Sequence, residues 1–226
     1  MTVTIIIPVY NEKNTTIKIL KKVQKTKFKK EIIIVDDGST DGTTKILQKL
    51  KTQKNLKIFF HRQNLGKGAA IRTALNHVSG DCVIIQDSDL EYDPQDIEKL
   101  LKPLKEGKAE VVYGSRFTGE RRNMFFWHFL GNQILTLFTN ILFNTTLSDM
   151  ETGYKLFKSE IIKGIKFKAN RFDFEPEITA RILKKQIRIY EVPISYAGRE
   201  YHEGKKITSK DGIIAFLVLL RYRFLK

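Results

Sequence analysis

Residues 31–50, "EIIIVDDGSTDGTTKILQKL", change character twice. Ile32, Ile33, Ile34 and Val35 form an unbroken apolar run, Asp36-Asp37-Gly38 breaks it, and Thr43 onward returns to helical spacing. An apolar run without alternation suits a strand covered on both faces. The stretch therefore predicts a strand, a polar turn and a capped helix. The same unit recurs on either side. "TVTIIIPVY" precedes a helical pattern at Ile17, Leu20 and Val23; "LKIFFH" and "NLGKGAAIRTALNHV" follow; then come "DCVIIQD", "PQDIEKLLKPL" with Pro at its start, and "AEVVYGSRF". This alternation predicts an α/β fold with a doubly wound, mostly parallel sheet and flanking helices.

Such sheets bind ligands beyond the carboxyl ends of their strands, and polar residues collect there. Pro8, Tyr10 and Glu12 follow the first strand, Asp36 and Asp37 the second, and Lys67 between two glycines the third. Asp87, Asp89 and Glu91 follow the fourth, and Arg116 the fifth. A D-x-D triplet just past a strand suits a hard divalent cation, Mg²⁺ or Mn²⁺, which takes one or two carboxylates together with substrate phosphates. Lys67 in its glycine-rich turn suits phosphate. Asp93 and Asp96 flank Pro94 at a helix start, where negative charge complements the helix dipole. The glycine spacing fits neither a P-loop nor a dinucleotide fingerprint.

In this order, "IIIPVYNE", "IIIVDDGSTDGT", "NLGKGAAIRTAL", "QDSDLEYDP" and "VVYGSRF" resemble the family 2 glycosyltransferases of GT-A fold. "LSDMETGYKLFK", "RFDFEPEITARILKK" and "EVPISYAGREYHEGKKITSKDG" resemble the dolichyl-phosphate mannose synthase and dolichyl-phosphate glucosyltransferase branch. The resemblance implies a single catalytic domain, with residues 1–120 as the nucleotide-sugar half and 121–226 as the acceptor half. It implies that Pro8, Tyr10, Glu12, Asp36 and Asp37 hold base and ribose and that Asp87 and Asp89 bind metal and diphosphate, with Glu91 as a third ligand. Arg116 would face the phosphates or the acceptor, and Arg199, Lys205 and Lys206 would close over the diphosphate. The implied reaction is inverting transfer of a hexose, glucose or mannose, from a nucleotide-diphosphate sugar to a polyprenyl or dolichyl phosphate. A lipid phosphate is already an anion at pH 7 and needs cations rather than a base; a saccharide hydroxyl would need a base, for which Asp149 and Glu151 are the candidates. A non-catalytic basic membrane-binding domain is the remaining alternative.

The chain has 226 residues, 40 basic against 25 acidic, and a net charge of +15. That excess calls for an anionic partner. No zinc-finger spacing or aromatic RNA-binding signature is present, so nucleic acid is not expected. Cys82 is the only cysteine, which excludes an intrachain disulfide. "MTVTIIIPVYNE" lacks the basic start and cleavage site of a signal peptide. Met124–Phe143, "MFFWHFLGNQILTLFTNILF", is apolar nearly all round, but His128, Asn132, Thr136 and Asn140 form a polar stripe, with Arg121 and Arg122 at one end. Such a helix lies in the protein or in a membrane interface; the interfacial placement, receiving a lipid phosphate, is the one expected. Ile213–Leu220 is too short to span a bilayer, and with Arg221, Arg223 and Lys226 it suits an amphipathic helix at anionic headgroups. The expected location is peripheral, on the cytoplasmic face of a membrane. Oligomeric state is not legible.

Overall fold

The computed structural model describes residues 1–50, 55–199 and 209–225. One sheet of seven strands organises the chain: β1 (Val3–Val9), β2 (Lys30–Asp36), β3 (Leu56–Phe60), β4 (Cys82–Ile85), β5 (Val111–Ser115), β6 (Lys155–Lys158) and β7 (Ile189–Pro193), in the spatial order β3-β2-β1-β4-β6-β5-β7. β1, β2, β3 and β4 pair in parallel, with Ile5 opposite Ile32 on one side and Ile84 on the other. The sequence-based order put β5 in series with the first four strands. Instead β6 lies between β4 and β5, antiparallel to both, while β7 pairs in parallel with β5. β6, "KLFK", has a lysine at each end, so no apolar run marks it as β4's "CVII" is marked.

The unbroken apolar runs are explained by burial on both faces: every residue of β1, β4 and β5 is buried. On one face pack α1 (Thr16–Lys25) and α4 (Ile97–Lys105), the latter entered through a 3₁₀ turn at Pro94–Asp96. Ile19, Leu20 and Val23 form the buried stripe of α1, with Ile17 only half-buried. On the other face lie α3 (Lys67–Leu75), α6 (Ser159–Lys163) and α7 (Phe174–Lys184). α2 (Thr43–Gln48) follows the Asp36-Asp37 turn. A third apolar cluster, around Leu147, Met150, Ala180 and Leu219, joins α7 to α5 (Phe126–Phe143) and α8 (Ser209–Phe224).

The chain leaves β1 toward β2 and β3 on one side and returns to β4 on the other. The crevice beyond β1 and β4 is thus the switch point where α/β sheets bind ligands, and the acidic turns after β2 and β4 flank it.

Candidate active site

The carboxylates after β4 are met by two cations. Lys67 Nζ, at the start of α3, lies 2.8 Å from Asp87 and 2.8 Å from Glu175. Burial pulls its ammonium down, but the two carboxylates outweigh that and hold it well above its ordinary value. Arg199 reaches Glu12 at 3.0 Å, Asp89 at 3.3 Å and Glu91 at 3.5 Å. Burial, then the charges of Glu91 and Asp87, push the Asp89 carboxyl up to about 7 despite Arg199. The cluster therefore carries more negative charge than its partners neutralise, which a divalent cation between Asp87 and Asp89 would relieve.

The expected third ligand is placed otherwise. Glu91 accepts from the Tyr196 hydroxyl at 2.6 Å and the Arg199 backbone N–H at 2.9 Å, so its carboxylate anchors the 196–199 segment. Among the described residues no three His, Cys, Asp or Glu side chains are grouped to hold a metal ion. The Asp87/Asp89 pair still fits Mg²⁺ or Mn²⁺, because such ions take the remaining ligands from substrate phosphates and water. Asp87 itself is seated by its surroundings: a Cβ on Gly153 would come within 2.4 Å of its Oδ2, and the Gly153 N–H donates to the Tyr92 hydroxyl.

The glycine-rich turn before α3 has a different role from a phosphate cradle. The Leu65 and Gly66 N–H groups donate to the two oxygens of Asp37, and His61 Nδ1 lies 2.6 Å from the same carboxylate. A Cβ on Gly66 or Gly68 would meet the carbonyl oxygen of Asn170 or Ala169 at 2.2 or 2.4 Å. The glycines admit the chain that leads into α7, and only the Lys67 side chain points to the acids. Asp37 and Asp36 are both buried; Asp37 is bonded to the turn before α3, while Asp36 accepts from the Ser39 N–H and the Thr44 hydroxyl of its own turn and helix. Pro8 is buried in β1, Tyr10 is half-buried just beyond it, and Glu12 is held by Thr15 and Arg199.

Across the crevice, Arg116 and Asp149 form a buried two-pronged pair, with Arg116 Nε and Nη2 each 2.7 Å from a carboxylate oxygen. Both Asp149 oxygens are thus committed to Arg116, and Asp149 is fully buried, so it does not serve as a free base. Arg116 also donates to Asn132 Oδ1 of α5 at 3.2 Å. Glu151, in the same loop as Asp149, differs: its Oε1 is buried with no hydrogen-bond partner, as is Glu175 Oε2. Burial, then the charge of Glu175, pushes the Glu151 carboxyl up to about 7. Arg121 and Arg122 are exposed beside a cleft of about 370 Å³ that Tyr196 also lines, and His128 lies half-buried on α5. Lys205 and Lys206 lie outside the described residues.

Sequence reading missed Glu175 and Lys155. Glu175 sits in the first turn of α7, where an acid is adequately explained by the dipole. Lys155 stands in β6, fully buried, its ammonium donating to the Met150 and Thr152 carbonyls; burial pulls it down to about 8. The "YKLFK" run carries no mark of a buried lysine.

The sequence model of Glycosyl transferase family 2 matches residues 4–171. The chain is 29% identical over 240 residues to the uncharacterized protein MJ0544 of Methanocaldococcus jannaschii, covering 98% of this chain and 99% of that one. It is 29% identical over 242 residues to the UDP-N-acetylglucosamine–dolichyl-phosphate N-acetylglucosaminyltransferase of Methanococcus voltae, covering 98% and 95%. Glucosyl-3-phosphoglycerate synthase from Mycobacterium tuberculosis, solved with Mn²⁺, UDP and phosphoglyceric acid, shares the fold with a TM-score of 0.77 at 19% identity, over 100% of this chain and 79% of its own. The switch-point crevice, its acid–base constellation and the family match agree: this chain belongs to glycosyl transferase family 2, and it is a glycosyltransferase of GT-A fold.

Proposed function

We propose that the protein transfers a sugar from a nucleotide-diphosphate donor to a polyprenyl phosphate at an anionic membrane surface, using Mg²⁺ or Mn²⁺. The observation that carries this is the attachment of Arg116, at the acceptor side, to α5, a helix whose outer face is bare apolar surface. Trp127, Ile134, Leu137 and Ile141 on that face are 77, 54, 59 and 71% exposed. α8 adds Ile213, Leu217 and Phe224, and the two helices meet through stacked Phe138 and Phe216. No helix among the described residues is long and apolar enough to cross a membrane. An apolar face edged by exposed Arg121, Arg122, Arg221 and Arg223 suits an anionic lipid surface. The M. voltae relative, named for a dolichyl-phosphate acceptor, supports the same class and adds N-acetylglucosamine to glucose and mannose as candidate sugars.

In this mechanism Asp87 and Asp89 would hold the metal, whose chemistry would be to neutralise charge on a departing diphosphate. Lys67 and Arg199, already beside those acids, turn their charge toward the same phosphates. Arg116, Arg121 and Arg122 hold the acceptor phosphate, an anion that attacks the anomeric carbon without needing a base. The partnerless oxygen of Glu151 favours one second reading, a saccharide hydroxyl deprotonated by Glu151.

A transfer assay separates these readings. Purified protein receives labelled UDP-N-acetylglucosamine, UDP-glucose or GDP-mannose, Mn²⁺ or Mg²⁺, and a short polyprenyl phosphate in detergent. Label in the organic phase is expected with one donor, lost on chelation and in Asp89→Ala at unchanged melting temperature. Nucleotide release with no organic-phase label would move the acceptor to a saccharide hydroxyl or to water. Full turnover in Asp89→Ala would remove the metal assignment.

A further inference from the structure

α5 presents apolar residues to solvent, and three of its polar residues, Asn132, Thr136 and Asn140, are bonded to the acceptor side. Asn140 closes a two-bond ring with the main chain of Leu147: its Nδ2 donates to the Leu147 carbonyl at 2.8 Å, and its Oδ1 accepts the Leu147 N–H at 2.9 Å. Thr136 Oγ1 accepts the Met150 N–H at 3.1 Å. Asn132 meets Arg116. The loop pinned at Leu147 and Met150 contains Asp149, which fixes Arg116, and continues to Glu151. Thr136 is 3% exposed although it lies between solvent-facing Ile134 and Leu137.

We infer that Thr136 and Asn140 are positioning residues for glycosyl transfer: they fix the 147–151 loop to α5, so that seating the outer face of α5 on lipid sets the geometry of Arg116 and Glu151. The coupling to lipid rests on the membrane reading above; the positioning by Thr136 and Asn140 does not. In water the helix exposes apolar surface that would be more stable covered. Covering it restricts the helix, and a restricted helix restricts a loop joined to it by three hydrogen bonds between helix side chains and the loop's main chain. The coupling is therefore carried by named contacts rather than by proximity. Catalysis is sensitive to such placement, because a misplacement of about 1 Å can cost roughly a hundredfold in rate.

The test uses amide hydrogen exchange on the full chain, with and without vesicles of equal parts phosphatidylcholine and phosphatidylglycerol. Vesicles should slow exchange in α5 and, with it, at the Leu147 and Met150 amides, by about tenfold. Thr136→Val, which keeps the shape and removes the acceptor, should lose the Met150 protection and lower kcat about tenfold in the transfer assay. Its affinity for UDP with Mn²⁺ should stay near wild type, because those ligands bind at the β1–β4 crevice. Thr136→Ser should restore both. Protection confined to α5, with the loop amides unchanged and normal kcat in Thr136→Val, overturns the inference. If vesicles protect nothing, the membrane reading fails, and Thr136→Val decides the positioning role by itself: a lowered kcat rescued by Ser sustains it, and a normal kcat overturns it.

Discussion

Glu151, whose Oε1 is buried without a hydrogen-bond partner, carries a pH response that a variant can read. Glu151 is pushed up to about 7, first by burial and then by Glu175, with Lys155 and Arg116 opposing. A carboxyl whose folded value is raised adds stability that is whole below its unfolded value, near 4.5, and is lost as pH rises through about 7. Glu151→Gln has no such loss. Removing the Glu151 charge also lowers Lys155 further, which acts in the same direction. The melting temperature of Glu151→Gln relative to wild type should therefore rise between pH 5 and pH 8, by roughly 5 °C. A difference independent of pH would show that Glu151 ionises normally. At this scale the sequence was informative where acids follow strands, as at Asp87 and Asp89. It was silent where an ordinary position hides an unusual neighbour: nothing in "FEPE" says that Glu175 shares Lys67 with Asp87, and nothing in "SDMETGY" says that Asp149 is bound to Arg116 while Glu151 is not.

Elements were legible in proportion to their length and regularity. β1, β2 and β4 stand out as apolar runs because both their faces are covered, whereas β6, "KLFK", and β7, "IYEVP", carry charged residues that break the run and are set by pairing with distant strands. The long apolar helix was recognisable, and so was its polar stripe. The direction of the stripe follows only from the structure, where Asn132, Thr136 and Asn140 find partners inside and the hydrocarbon is left outside. That inversion separates folding from docking. Leu137 and Ile141 make the outer face, so replacing both with Asp should change stability little, within about 1 kcal/mol. The same double variant should weaken binding to anionic vesicles by about tenfold or more, since buried apolar area drives interfacial attachment. Co-sedimentation beside a thermal melt measures both. Unchanged vesicle binding with an unchanged melt would remove α5 from the docking surface.

For the molecule as a whole, a strongly basic chain carries an acidic crevice, and under the proposed function the two signs answer different partners. The chain's net charge is +15, and among the described residues exposed arginines stand at α5 and α8. The acids after β4 lie in the crevice, countered by Lys67 and Arg199. Salt separates the two. Exposed charges are screened over about 10 Å at 0.1 M and about 3 Å at 1 M, while buried pairs are screened far less. Each basic residue near an anionic bilayer contributes about 1 kcal/mol. With Arg121, Arg122, Arg221 and Arg223 at the edge, affinity for phosphatidylglycerol vesicles should fall by about two orders of magnitude between 0.1 and 1 M salt. Affinity for neutral phosphatidylcholine vesicles, carried by apolar burial alone, should be weak at low salt and not fall as salt rises. UDP binding in the presence of Mn²⁺, measured by calorimetry, should weaken much less than binding to the anionic vesicles over the same range. If anionic and neutral vesicles bind alike at 0.1 M, the arginines take no part in docking, and the basic excess must answer some partner other than the lipid surface.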